Sequence, residues 1–266
     1  IIYSVAKNNM QSALMVPTEV LAEQHFETFK QMFQNTGISV GLLTGSLTAK
    51  EKKAVKSKIS SGETDLIIGT HAIIQDDVEF NSLGFVVTDE QHRFGVRQRT
   101  KLKEKGENPN VLVMSATPIP RTLALIIYGD LDVSVLDEMP ANRRKIETYQ
   151  VTAAYRERIY NFIKKHLDRG LQGYIVCPLV SEGDTDLVPA EEYYKELSRT
   201  VFRNYRVGLL HGQMKSADKE KIMRAFAAGE IQLLVTTVVI EVGIDVPNAA
   251  VMVIENAERF GLSQLH

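Results

Sequence analysis

The stretch Phe85-Val86-Val87-Thr88-Asp89-Glu90-Gln91-His92-Arg93-Phe94 decides how the rest of the chain is read. An apolar run of strand length ends abruptly in two acids, a glutamine and a histidine, so a buried strand here carries both carboxylates at its C-terminal end. In open α/β sheets that edge is where ligands bind. Adjacent carboxylates there suit a metal-nucleotide site, because one can hold Mg²⁺ through water while the next accepts a proton from an attacking water. A bare Asp-Glu pair is more often a strand running into a solvated acidic turn. A second strand end of the same kind shifts the balance: Asn110-Val111-Leu112-Val113-Met114 leads into Ser115-Ala116-Thr117-Pro118.

Upstream, residues 1–12 read as the end of a helix already under way, so the start of the chain looks cut. Ala13 to Val16 is a short buried strand. Pro17-Thr18 then opens a helix with Thr18 as N-cap and Leu21, His25, Phe29, Met32 and Phe33 along one face, closed by Gly37. Val40 to Gly45 is a second strand, and Thr48-Ala49-Lys50-Glu51 fits a capping box opening a further helix. That helix carries Lys50, Lys52, Lys53, Lys56 and Lys58, a pattern more often a solvated face than a DNA contact. Asp65 to His71 is a third strand, ending in Gly69-Thr70-His71.

Downstream, segment 138–148 is polar, aperiodic and rich in Pro, Asn and Arg, which marks an interdomain linker. The alternation then restarts. A helix through Tyr155, Ile159, Phe162, Ile163 and Leu167 precedes a strand at Gly173 to Cys177, an acidic loop at 181–186 and a helix started by Pro189. Val207 to Gly212 is a strand and turn, Ser216 caps a helix closed by Gly229, and Ile231 to Val235 and Ala250 to Ile254 are the last strands. No short internal repeat stands out, although the two halves share an architecture. Strands alternating with helices imply βαβ units and mostly parallel sheets, in α/β domains at 1–145 and 150–266.

With 266 residues, 24 % charged and 44 % hydrophobic, the chain has the composition of ordinary globular domains, and wholesale disorder is excluded. No apolar run is long enough to cross a bilayer. A net charge of −2 provides no global attraction to nucleic acid, so any DNA contact rests on local surfaces. The single Cys177 lies in an apolar strand and reads as a packed core thiol in a reducing compartment.

Taken in order, Pro17-Thr18-Glu19, Thr44-Gly45, Gly69-Thr70-His71, Asp89-Glu90-Gln91-His92, Ser115-Ala116-Thr117-Pro118, His211-Gly212 and Thr236-Thr237 to Gly243-Ile244-Asp245 resemble motifs Ia, Ib, Ic, II, III, the IV region and V of superfamily 2 helicases. Asp89 to Gly95, Met114 to Arg121, Ile240 to Pro247 and Ile254 to His266 are similar to the bacterial branch-migration helicases of the RecG family. The resemblance spans essentially the whole chain. It implies two tandem RecA-like P-loop NTPase domains with mostly parallel sheets, the first lacking its P-loop strand. It implies ATP and Mg²⁺ as cofactors, branched or forked DNA as partner, no membrane, no small-molecule substrate other than ATP, and the bacterial cytoplasm.

By the same resemblance Asp89 holds the metal, Glu90 is the catalytic base, and Gln91 and His92 sense the γ-phosphate and signal to Ser115 and Thr117. Gly243 and Asp245 face the nucleotide from the second domain, and Pro17, Thr18, Thr44, Gly45, Thr70, His71, Thr236 and Thr237 lie towards DNA. Taken singly, the DNA-side residues are as well explained by caps and turns. No G-x-x-x-x-G-K-[ST] occurs in the 266 residues. The family would have it just ahead of Ile1, and the arginine-rich motif VI just past His266, so the 266 residues alone are expected to hydrolyse no ATP. Two readings stand beside the leading one: the motor of a transcription-repair coupling translocase, and a non-catalytic DNA-binding module.

Overall fold

The computed structural model describes residues 1–90, 94, 96–115, 132–138, 146–178, 190–237 and 246–265. In the first half, β1 (Gln11–Met15), β2 (Val40–Leu43), β3 (Leu66–Gly69), β4 (Leu83–Thr88) and β5 (Asn110–Val113) form one sheet in the order β2-β3-β1-β4-β5, every pair parallel. Helix α1 (Ile2–Lys7) precedes β1; β1–β2, β2–β3 and β4–β5 are joined through α2 (Glu19–Phe33), α3 (Ala49–Ser60) and α4 (Val96–Lys103), and β3–β4 through a short 3-10 turn at His71–Ile74.

Successive strand residues point to opposite faces, which explains why the apolar runs are unbroken. Ala13, Met15, Ile67 and Val86 pack on one side with Ile73 and Leu102. Leu14, Val16, Ile68, Phe85 and Val87 pack on the other with Leu21, Ala22 and Phe33. Gly69 at the end of β3 is a packing requirement in its own right: a Cβ there would overlap the carbonyl oxygen of Leu43 on β2.

The two N-caps read from the sequence in this half are present. The Thr18 hydroxyl accepts the Leu21 N–H at 3.3 Å, and Thr48 and Glu51 close a reciprocal capping box at the start of α3. The expected face of α2 needs correction. Its buried arc is centred on Ala22, with Phe26, Phe29 and Phe33 within about 40° of it at 100° per residue. Met32 falls at the margin and is 62 % exposed. His25 falls at the same margin.

The second half builds a sheet of its own from β6 (Gln172–Val176), β7 (Val207–Leu210), β8 (Leu233–Thr236) and β9 (Ala249–Ile254), in the order β7-β8-β6-β9 and again all parallel. Its helices include α5 (Arg156–Leu167), α6 (Ala190–Arg199) and α7 (Ser216–Ala227). Helix α7 begins at Ser216 itself, with Lys215 in the cap position, so Ser216 is not the cap. Ile163 and Leu167 of α5, Tyr193 and Leu197 of α6, and Phe202 pack on Ile175, Leu233 and Val235. Cys177 is buried in the same cluster, and burial pushes its thiol up to about 12. Each sheet anchors one of two compact units, and Gly212–Ala228, which includes α7, is grouped with the first. The acidic loop at 181–186, Pro189 and residues 139–145 of the expected linker lie outside the described residues.

The halves are more alike than a first reading suggests. Val40-Gly41-Leu42-Leu43 and Val207-Gly208-Leu209-Leu210 are identical quartets on equivalent edge strands, a short repeat the sequence reading missed. Each central strand begins with a buried glutamine, Gln11 or Gln172, followed by a register shift. The Gln11 amide donates to the carbonyls of Ile59 and Thr64 and accepts from the N–H groups of Asn81 and Ser82, tying four segments together at the end of the sheet away from the acidic pair.

Candidate functional site

The parallel registers bring the sequence motifs to one edge. Met15, Gly69, Leu43, Thr88 and Val113 lie in one row across the first sheet. The residues that follow them, Pro17-Thr18, Thr70-His71, Thr44-Gly45, Asp89-Glu90 and Ser115, therefore leave the sheet side by side at its C-terminal edge.

Asp89 is held at this edge from three directions. Its N–H donates to the carbonyl of Met15 at 3.0 Å, extending the β1–β4 ladder by one residue. Its Oδ1 accepts the Glu90 N–H at 2.9 Å, and its Oδ2 lies 3.3 Å from Nε2 of His25 on α2. Glu90 has a φ of 49°, in the left-handed region that non-glycine residues rarely adopt. Such a conformation costs on the order of 1–3 kcal/mol and recurs at functional sites. It ends the strand alternation at Glu90. Both remain partly exposed.

A metal that arrives with a nucleotide needs one or two protein carboxylates, the rest of its shell coming from phosphates and water. Asp89 meets that requirement: it is oriented, 22 % exposed, and at a strand end. Among the described residues no group of three or more His, Cys, Asp or Glu is arranged to hold a metal by itself.

The residues expected towards DNA divide into two sets. Gly45 and His71 are exposed and Pro17 and Thr18 partly so. Thr44 and Thr70 are 1 % and 2 % exposed, and Thr236 and Thr237 are buried in the second sheet. The Thr44 hydroxyl pairs with Ser46, the Thr236 hydroxyl donates to the Thr237 carbonyl, and the Thr70 hydroxyl has no partner among the described residues. Side chains of these four threonines point into the protein, whereas Gly45 and His71 at the first edge face solvent. Pro17 and His71 line a cleft of about 220 Å³ together with Phe94 and Gln98, from the segment after the acidic pair.

At the corresponding edge of the second sheet, Leu210, Thr236, Val176 and Ile254 form a row. Beyond it Glu255 accepts from Arg156 at 3.1 Å and from the Tyr193 hydroxyl at 2.7 Å. Arg156 also donates to Tyr193 at 2.8 Å. Burial, the hydrogen bond with the Tyr160 hydroxyl and the one to Glu255 keep the Tyr193 phenol protonated far above its usual range. His211 lies 3.4 Å from Glu191.

Comparison with known proteins gives this edge a lineage. Residues 1–126 match the DEAD/DEAH box helicase family and residues 154–266 the helicase conserved C-terminal domain. The ATP-dependent DNA helicase RecG of Bacillus subtilis is 51 % identical over 266 residues, all of this chain and 39 % of that protein. RecG of Thermotoga maritima is 50 % identical over 257 residues, 96 % of this chain and 33 % of that protein. A solved structure of RecG bound to a three-way DNA junction is 48 % identical, with a TM-score of 0.81 over 97 % of this chain and 33 % of that one. The chain belongs to the RecG family. The Lhr helicase of Mycobacterium smegmatis, 16 % identical at a TM-score of 0.62, shares the fold alone.

As a RecG-family chain it spans roughly a third to two fifths of the relatives it matches. Of the residues expected to act, Gln91, His92, Thr117, Gly243 and Asp245 lie outside the described residues. Sequence reasoning missed two groups in the site. Glu19, the first residue of α2, accepts the Ser46 N–H at 3.0 Å and fixes the Thr44-Gly45-Ser46 turn beside Pro17-Thr18. His25, taken for part of an apolar face, reaches Asp89. Its signal was an imidazole in a row of Leu and Phe. The lysines of α3 are partly committed within the fold: Lys52 donates to the Gly45 carbonyl and Lys56 pairs with Asp77.

Proposed function

We propose that this chain carries the motor of an ATP-dependent DNA helicase that remodels branched DNA, such as forks and junctions, in bacterial recombination and repair. The observation that carries the reading is the convergence of Asp89-Glu90 with Pro17, Gly45, His71 and Ser115 on one sheet edge. Support comes also from the relatives' printed names and from the RecG structure on a three-way junction. On this reading two motor domains occupy 1–145 and 150–266, and the protein works in the cytoplasm, where its DNA is.

Glu90 takes the proton of the attacking water; its side chain is partly exposed, with Oε2 buried. Asp89 holds Mg²⁺ through water, with its carboxylate fixed by the Glu90 N–H and His25. When bound, Mg²⁺ supplies charge neutralisation at the β- and γ-phosphates. Gln91 and His92 sense the γ-phosphate and signal through Ser115 and Thr117, while Gly243 and Asp245 meet the nucleotide from the second domain. DNA is gripped through its sugar-phosphate backbone by Pro17, Thr18, Gly45 and His71, without base reading. The buried Thr44 and Thr70 shape the turns that present Gly45 and His71, and the buried Thr236 and Thr237 form the corresponding strand end of the second sheet.

The test is strand separation by the full-length protein on a three-way junction and on a linear duplex of the same strands. ATP-dependent opening confined to the junction is the expected result. Equal action on both substrates, or none without loss of binding, removes branched DNA as the substrate.

A further inference from the structure

We infer that His25 is a positioning residue for Asp89, and that through it helix α2 links the DNA-side turn at Pro17-Thr18 to the metal-holding carboxylate; this rests on the reading of Asp89 given above. The geometry is specific. A carboxylate oxygen only accepts, so Nε2 of His25 carries the hydrogen directed at Oδ2, at 3.3 Å. Oδ1 is already engaged by the Glu90 N–H at 2.9 Å, so each oxygen of Asp89 has one donor and the carboxylate plane is fixed from both sides. The two side chains are 26 % and 22 % exposed, so the contact is partly shielded from water.

The imidazole is itself held. Its ring lies against Phe29 at a centroid distance of 6.3 Å, and Phe29 stacks on Phe33 at 5.8 Å. Its helix starts at the Thr18 cap, and the seven residues from Thr18 to His25 span about 10 Å along the axis at 1.5 Å each. A rigid two-turn segment thus has a backbone-contacting turn at one end and the Asp89 donor at the other. Displacement of Pro17-Thr18 on DNA moves that donor relative to β4. A helix-packing role alone predicts lost stability on truncation. A positioning role predicts a change in how nucleotide binding depends on Mg²⁺.

The experiment uses the full-length helicase with His25→Ala, His25→Gln and Asp89→Asn. It reads equilibrium binding of a fluorescent ATP analogue across a Mg²⁺ titration, with thermal unfolding measured alongside. Groups that orient a metal ligand typically change metal affinity by about 10- to 100-fold when removed. His25→Ala is expected to move the Mg²⁺ midpoint upward by about tenfold or more at an unchanged unfolding temperature, with metal-free nucleotide binding unaltered. His25→Gln, which keeps an N–H donor, recovers most of the shift. A His25→Ala titration that overlays wild type while Asp89→Asn shifts it overturns the role of His25 alone. Equal shifts in both His25 variants, with lowered unfolding temperatures, also overturn it, by reducing His25 to packing. If Asp89→Asn leaves the titration unchanged, the assignment of Asp89 itself falls and the inference goes with it.

Discussion

Asp89 and Glu90 were readable because a buried strand ending in acids has few other meanings once a second such strand end follows. His25 was not, because its contact lies 64 residues away in sequence and depends on how α2 is rolled against the sheet. A helical wheel gives the buried arc only to within a residue or two, and His25 and Met32 both sit at its margin. Gly69 illustrates the opposite case, a motif glycine whose local reason is steric. A Cβ there meets backbone, which has nowhere to retreat without separating β2 from β3. Gly69→Ala is therefore expected to destabilise the protein by about 2–3 kcal/mol, near the upper end for single substitutions. Thermal or urea unfolding checks this, and an unchanged midpoint would mean the strand ends relax more easily than the packing indicates.

The strands and amphipathic helices were legible from apolar runs and caps, with ends displaced by a residue or two, except that the helix expected over residues 1–12 stops at Lys7 and Gln11-Ser12 open β1. Helix α4 was not anticipated. Its sequence, Val96 to Lys103, is dominated by Arg, Gln, Lys and Thr, and Leu102 alone among its described side chains is fully buried. One apolar anchor yields no periodicity to read. The Val-Gly-Leu-Leu repeat was visible in principle, but its meaning came with the topology: both quartets form the edge next to the third strand of their sheets. In each half a lysine seven residues beyond the following glycine donates to that glycine's carbonyl, Lys52 to Gly45 and Lys219 to Gly212. At the other side of the first sheet, β5 is the edge strand among the described residues, and its Leu112 is 39 % exposed. A parallel edge with an exposed apolar side chain invites pairing with another strand. A polypeptide of these 266 residues is accordingly expected to self-associate, and Leu112→Lys to reduce the association. Light scattering over a concentration series tests this, and a monodisperse monomer in both forms would show the edge to be covered.

For the molecule as a whole, the sequence established two parallel α/β units and the order of the motifs along them. Folding adds what linear order cannot carry, namely that five separate strand ends meet at one edge and that four of the expected DNA-side threonines turn inward. The central claim is that this edge is an ATP-driven engine acting on branched DNA, with Glu90 as its base. The most direct measurement is steady-state ATP hydrolysis by the full-length protein with and without a three-way DNA junction, wild type against Glu90→Gln. The amide keeps the shape of the side chain and cannot take a proton, and losing a general base costs about 10²- to 10⁴-fold in rate. The account predicts junction-stimulated hydrolysis by wild type and a loss of at least about 100-fold in Glu90→Gln, with nucleotide and junction binding retained. Hydrolysis by Glu90→Gln at the wild-type rate, or a wild-type rate indifferent to the junction, would contradict it.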